Sequence, residues 1–163
     1  MNKFIRVNMT TKEVSTQETP ERYAGLAGRA LTSIFVYDEV KPTCHALGKN
    51  NKLIFAPGFL SGTTAAQSGR ISVGAKSPLT GTIKESNSGG SFSQKMAKMG
   101  IKALVIEGLP ADDKFYVIKL DMNGVSIDEA PADILGGCGN YEAIKVLSAK
   151  CGDKVGIALA GPA

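Results

Sequence analysis

The sequence predicts an α+β fold in which short strands and helices follow one another along the chain. Two patterns carry that expectation. Several runs alternate apolar and polar residues at period two, with turn residues between neighbours, while other stretches repeat apolar residues at i, i+3 and i+4, the stripe of a helix packed on one side. A third observation bounds the size. With 163 residues, one domain is the natural expectation, and about 68–70% of the unfolded surface can be buried, so the core needs neither metal nor disulfide. At 43% hydrophobic and 21% charged residues the chain lies well away from compositions that stay disordered.

The elements read in order as follows. Residues 4–9 place Ile5, Val7 and Met9 on one face, and Val14 to Gln17 follow a Thr-Thr-Lys turn, which together make an opening hairpin. From Pro20 the chain runs to Val40 with Leu31, Ile34 and Phe35 at helical spacing, which predicts a helix over 27–37. Lys52 to Ala56 is a short apolar strand ended by Pro57 and Gly58. Gly58 to Gly69 is then rich in Gly, Ser, Thr and Ala, a composition that cannot form a core; long loops of this kind are often functional.

Strands over 70–75 and 82–85 bracket a turn in which Pro78 fixes φ and Gly81 permits left-handed geometry. Asn87-Ser88-Gly89-Gly90 next precedes a helix carrying Phe92, Met96 and Met99 and stopped by Gly100. Small residues before a helix start allow an anion to approach free N–H groups, yet Ser88 or Ser91 reads equally as an ordinary N-cap. Both readings stand at this point. Ile101 to Glu107 is a near-continuous apolar strand, Lys114 to Leu120 alternates, and Asn123-Gly124 is the strongest hairpin signal in the chain. Asn140 caps a last helix over 140–150, with Ala143, Ile144, Leu147 and Cys151 on one side and Gly152 as its stop. Lys154 to Ala160 closes as an apolar strand running into Gly161-Pro162-Ala163.

That closing strand has the form of Lys52 to Gly58, which suggests a two-copy arrangement whose second copy is cut where its loop begins. An ordinary terminal strand fits the same residues.

Charge and composition narrow the function. The net charge of +4 is dilute, with Lys and Arg scattered beside Asp and Glu, unlike the clustered footprint of a nucleic-acid binder. No stretch approaches the roughly 20 apolar residues of a membrane span, and no leader pattern opens the chain, so a cytoplasmic protein is expected. Cys44, Cys138 and Cys151 make no C-x-x-C pair, which suits a reducing compartment. His45 is the only histidine and has no set of convergent ligands around it in sequence. The nucleophile elbow, the His-Glu-x-x-His pair and the P-loop are all missing. Asp112-Asp113 and Asp128-Glu129 read as solvated turn residues. What remains is one polar constellation, made of Arg70, Lys76 and Asn87-Ser88-Gly89-Gly90.

Residues 69–81 (GRISVGAKSPLTG), then 87–90 (NSGG) and 99–108 (MGIKALVIEG), closely resemble the N-terminal domain of the tungsten-dependent aldehyde ferredoxin oxidoreductases. Residues 4–8 (FIRVN), 28–31 (GRAL), 51–54 (NKLI), Gly62-Thr63 and 161–163 (GPA) add to the likeness, which covers essentially the whole chain. The resemblance implies a domain of two related mixed β-sheet halves with flanking helices, forming a saddle under a tungsten or molybdenum bis-pyranopterin cofactor with a bridging magnesium ion. It implies that Arg70 lies between one pterin and a 4Fe-4S iron–sulfur cluster. Asn87 would offer its backbone carbonyl near the magnesium and phosphates, Gly89 would let the pterin rest against bare main chain, and Ser88 and Gly90 would belong to the same cofactor-binding set. A guanidinium fork suits anionic oxygens, and a hard cation takes oxygen ligands.

The likeness has two local departures. The family commonly has Gly-Pro-Leu-Thr-Gly-Thr where this chain reads Gly58-Phe59-Leu60-Ser61-Gly62-Thr63, and Ala-Pro in place of Ala65-Ala66. The family's second glycine/arginine loop, its cluster cysteines and its substrate-facing acid and histidine fall beyond this sequence. The expectation is therefore the cofactor-cradling N-terminal part of an enzyme that oxidises aldehydes to carboxylic acids with ferredoxin as electron acceptor, inactive alone. Its partners would be the remaining domains or a subunit carrying the iron–sulfur cluster, or a homo-oligomer, with no nucleic acid and no membrane. Two other readings stay open: a non-catalytic assembly module that retains the scaffold, and a tungsten subunit acting on something other than an aldehyde.

Overall fold

The structure is a computed structural model and describes residues 1–135 and 138–160. It falls into two compact units, residues 1–111 and 112–163.

The first unit is built on a mixed sheet. In chain order its elements are β1 (Lys3–Asn8), β2 (Glu13–Glu18), α1 (Gly28–Glu39), β3 (Lys52–Pro57), β4 (Arg70–Lys76), β5 (Ile83–Gly89), α2 (Ser91–Lys98) and β6 (Ile101–Glu107), with a short 3-10 turn at Glu21–Tyr23. The six strands lie in the order β2-β1-β6-β3-β4-β5. Only β1 and β6 run parallel; every other neighbouring pair is antiparallel. The α+β class is therefore the one observed.

Strand alternation divides the apolar residues between two faces, and a helix covers each. On one face α1 sets Leu31, Phe35 and Val36 against Phe4, Ile54, Ala56, Ala103 and Val105. Phe4 stacks on Tyr23 and Phe35 at ring separations of 5.6 and 5.8 Å. On the other face α2 buries Met96 and packs Phe92 edge-on to Phe55 at 6.0 Å. The stripe predicted over 27–37 is the buried side of α1, extended by two residues at its C-terminal end. α2 is closed at its far end by Gly100, whose φ of +78° is left-handed as a helix stop requires.

One end of the sheet carries a charged cluster. Glu39 at the end of α1 accepts from Arg6 Nη1 at 2.9 Å and from Lys52 Nζ at 2.7 Å, and Arg6 Nη2 bonds its other oxygen. Lys52 also reaches Glu107 at 2.7 Å, and Arg6 lies 5.2 Å above the Phe35 ring. Every charge here has an opposite neighbour, which makes partial burial tolerable.

The second unit contains the hairpin of β7 (Tyr116–Asp121) and β8 (Gly124–Glu129), then α3 (Ala132–Leu135) and α4 (Asn140–Cys151). The predicted hairpin is present with its tip one residue earlier. Asp121 pairs with Gly124, so Met122 and Asn123 form the turn, and the Asp121 carboxylate accepts from the Asn123 and Gly124 amides at 2.8 and 3.1 Å.

Four sequence readings need correction. Residues 155–160 are not a strand: they form no ladder with any described strand, and an apolar run becomes a strand only when a partner satisfies its backbone groups. The motif that read as a helix start, Asn87-Ser88-Gly89, belongs to β5, which runs four residues past the predicted 82–85 because β4 offers partners out to Arg70. In α4 the N-cap is Gly139 and Asn140 is the first helical residue, and of the predicted apolar side only Ala143 is buried. Asp128 and Glu129 end β8 and bond Ser126 and Lys114, so they are strand residues instead of turn residues. Gly161-Pro162-Ala163 lies outside the described residues.

Candidate functional site

The constellation singled out in the sequence gathers where β4 begins and β5 ends. Antiparallel pairing sets Arg70 opposite Gly89, Ile71 opposite Ser88 and Ser72 opposite Asn87. Because side chains alternate between faces, Arg70, Ser72, Asn87 and Gly89 share one face, the same one that carries α1. Seventeen residues of sequence separation vanish into neighbouring positions of one ladder.

Arg70 is fixed on this surface by two contacts. Its Nε donates to Asn87 Oδ1 at 2.7 Å. Its Nη1 lies over Gly89 so closely that a Cβ at that position would stand 3.1 Å away. Asn87 in turn donates from Nδ2 to Ser72 Oγ at 3.3 Å, and Ser72 is buried. Beside them Glu85 accepts from Arg29 of α1 at 3.2 Å, with only 9% of the Glu85 side chain exposed. The Ser72 hydroxyl, against the opposing effect of burial, and the positive charge of Arg29 hold the Glu85 carboxyl below its ordinary value. Its Oε1 is buried without a well-formed hydrogen bond.

Ser88, Gly89 and Gly90 line the same edge. Ser88 Oγ donates to the Gly89 carbonyl at 3.2 Å and is exposed. Gly90 is the N-cap of α2, with φ +129° and ψ −174°, a conformation open essentially to glycine alone. Neither Ser88 nor Ser91 caps the helix, so the choice the sequence left open falls to a bare glycine.

The loop over 58–69 is tied down next to this edge. Ser61 Oγ bonds the carbonyls of Ser68 and Arg70 at 2.8 and 3.0 Å, and Gln94 of α2 accepts from the Gly62 amide at 2.7 Å. A Cβ on Gly62 would meet the Ala97 Cβ at 2.8 Å. Phe59 and Leu60 remain exposed at its rim.

Lys76 does not join the group. It ends β4 at the far side of the strand, where its Nζ donates to the carbonyls of Pro42 and Cys44 at 2.5 and 2.6 Å. Sequence reasoning missed Ser72, Glu85, Arg29 and Gln94. The period-two spacing of Ser72 from Arg70, and of Glu85 from Asn87, is a signal that could have found two of them.

The remaining candidates carry no chemistry of their own. His45 is a turn residue whose Nδ1 accepts from the Leu47 amide at 3.3 Å. Among the described residues no group of three or more His, Cys, Asp or Glu side chains could hold a metal ion. No helix among them is long and apolar enough to cross a membrane. A broad cleft of about 520 Å³ opens at the other end of β3, over the Glu39 and Glu107 cluster.

The site's arrangement can be set beside known proteins. The family model described as "Aldehyde ferredoxin oxidoreductase, N-terminal domain" matches residues 4–163. The chain belongs to that family. A curated relative, the tungsten-containing aldehyde ferredoxin oxidoreductase of Pyrococcus abyssi, is 38% identical over 164 residues, covering 99% of this chain and 26% of its own. The protein of the same name from Pyrococcus furiosus is 40% identical over 119 residues, covering 72% of this chain and 20% of its own. The chain thus spans about a quarter or less of the curated relatives it matches. Among solved structures, a chain of "Active site complex BamBC of Benzoyl Coenzyme A reductase in complex with 1,5 Dienoyl-CoA" superposes with a TM-score of 0.85, at 23% identity, over 94% of this chain and 23% of that one. The aldehyde ferredoxin oxidoreductase N-terminal fold is thus also present in a protein of a different name.

Proposed function

We propose that this chain is the cofactor-cradling part of an aldehyde ferredoxin oxidoreductase-like enzyme, and that Arg70, Asn87, Ser88, Gly89 and Gly90 form its share of the cofactor site. The observation that carries the reading is Arg70. Its Nε is committed to Asn87, while the terminal nitrogens of the fork, Nη1 and Nη2, bond to no described residue at an exposed edge where Gly89 lies beneath Nη1. Donors held in a plane beside bare backbone suit a large anionic group bearing phosphates and sulfur.

The residues present fit such a group. Arg70 would donate to it, Gly89 and Gly90 would let it lie against main chain, Ser88 would add a hydroxyl, and Asn87 would offer its backbone carbonyl to a magnesium ion. When bound, a tungsten (or molybdenum) bis-pyranopterin would supply the two-electron chemistry, and an iron–sulfur cluster held by other sequence would pass electrons singly to ferredoxin. This chain's own work is to bind and orient. The 58–69 loop, anchored by Ser61 and Gln94, is held next to this edge. The substrate itself depends on parts of the enzyme outside this chain, because one fold serves many reactions. The family membership and the curated relatives favour an aldehyde.

The test is a chimaera in which this chain replaces the matching region of the Pyrococcus abyssi relative. Metal and pterin analysis should find tungsten with pterin near the level of the parent enzyme, together with aldehyde-dependent ferredoxin reduction. Arg70→Ala should lower both cofactor content and turnover. A folded chimaera without tungsten would overturn the reading and leave a metal-free assembly module in its place.

A further inference from the structure

We propose that the Asn87 side chain, braced by Ser72, is a positioning residue that fixes the direction of the Arg70 guanidinium before any ligand arrives. The role is separate from anything the Asn87 backbone does. It rests on the reading of Arg70 as the donor that faces the cofactor.

The geometry is a relay across two strands. Arg70 Nε donates to Asn87 Oδ1 at 2.7 Å, short for an N–H···O bond and charge-assisted, so it is of the stronger kind. An amide offers an acceptor at one end and donors at the other, and the donor end is used as well, on Ser72 Oγ at 3.3 Å. Ser72 is only 2% exposed, so its hydroxyl cannot swing away from its neighbours. Behind it lies Glu85, kept ionised by that hydroxyl and by Arg29, whose negative charge biases the amide to turn its oxygen outward to Arg70.

The consequence for Arg70 is directional. A long arginine side chain on an exposed strand normally explores many rotamers, and ordering it on binding costs free energy. With Nε pinned by Asn87 and Nη1 lying over Gly89, the plane of the guanidinium is set. A preset fork selects ligands that present two acceptors in one plane, and it spares the ordering cost on binding. Lysine could carry the charge but has no second nitrogen for Asn87 to hold.

The experiment uses the full 163-residue chain, labelled with nitrogen-15, and follows hydrogen exchange at the arginine Nε–H groups, with the Arg70 signal assigned by its loss in Arg70→Lys. Asn87→Leu should speed Arg70 Nε–H exchange by about tenfold or more, the effect of losing one charge-assisted bond. Backbone amides of β4 and β5 should keep their protection, which a merely structural role would not allow. Asn87→Asp, which retains an oxygen at the same reach, should restore slow exchange. The proposal is overturned if exchange in Asn87→Leu stays within about twofold of the parent, or if Asn87→Asp exchanges as fast as Asn87→Leu. Should Asn87→Leu fail to fold, Ser72→Ala takes its place: a rise of about threefold or more supports the relay and no rise overturns it. Because no cofactor is present, this outcome is independent of tungsten retention in the chimaera, and the two can fail separately.

Discussion

Gly74 of β4 and Thr32 of α1 touch so closely that a methyl group on Gly74 would stand 2.5 Å from the Thr32 Cβ. Thr32 is fully buried, so it has no room to retreat. This contact brings α1 down onto the sheet near the site, within reach for Arg29 to meet Glu85. Gly74→Ala should therefore destabilise the chain by about 1–3 kcal/mol, the usual cost of overpacking. Denaturant unfolding of the double variant Gly74→Ala/Thr32→Ala should show a smaller loss than the sum of the single variants, because the second change vacates the space the first one needs.

The Glu39 cluster predicts an acid-sensitive fold. Burial raises the Glu39 pKa, but hydrogen bonds from Arg6 and Lys52 and their positive charges more than offset this and leave it below the ordinary 4.5. A carboxyl with a depressed folded pKa contributes stability that is fully present above its unfolded value and is lost as pH falls through its folded value. Urea midpoints of the parent should thus drop on going from pH 7 to below about 4. Glu39→Gln should cost about 2 kcal/mol at neutral pH, since removing one partner leaves Arg6 and Lys52 undercompensated. Part of that acid drop should also vanish in the variant.

Gly90 joins β5 to α2 in a backbone conformation that asparagine does not rescue. Asparagine tolerates the ordinary left-handed helical region, whereas φ +129° with ψ −174° belongs essentially to glycine. Thermal unfolding should find Gly90→Ala and Gly90→Asn destabilised alike, by about 1–3 kcal/mol. A clear advantage for asparagine would show that strain at this joint is of another kind.

Gln94 should govern the loop next to the site more than the fold as a whole. Its Oε1 takes the Gly62 amide at 2.7 Å and its Nε2 reaches Ser68 Oγ at 3.3 Å. Gln94→Ala should speed hydrogen exchange at Gly62 by about five- to tenfold, the equivalent of roughly 1–1.4 kcal/mol, while amides in β3 and β6 keep their protection. Equal acceleration throughout the sheet would mean that Gln94 supports the core instead.

Much of this protein was settled by local pattern. The alternation of Phe4 to Met9, the stripe of Leu31, Ile34 and Phe35, the stop at Gly100 and the turn at Pro78 to Gly81 each state their own geometry, because residue spacing alone selects a helix, a strand or a turn. The ordered motifs around Arg70 and Asn87 were legible too, and with them the family. Tertiary pairing decided the rest. Whether Asn87-Ser88-Gly89 starts a helix or ends a strand depends on β4 lying alongside, and whether residues 155–160 form a strand depends on a partner they do not find among the described residues. The same pairing separates Lys76 from Arg70 and brings in Ser72, Glu85 and Arg29. The physical reason is common to all of them. Backbone hydrogen bonds in a sheet and the aim of a long polar side chain are satisfied by residues distant in sequence, so their outcome is fixed only when the strands meet.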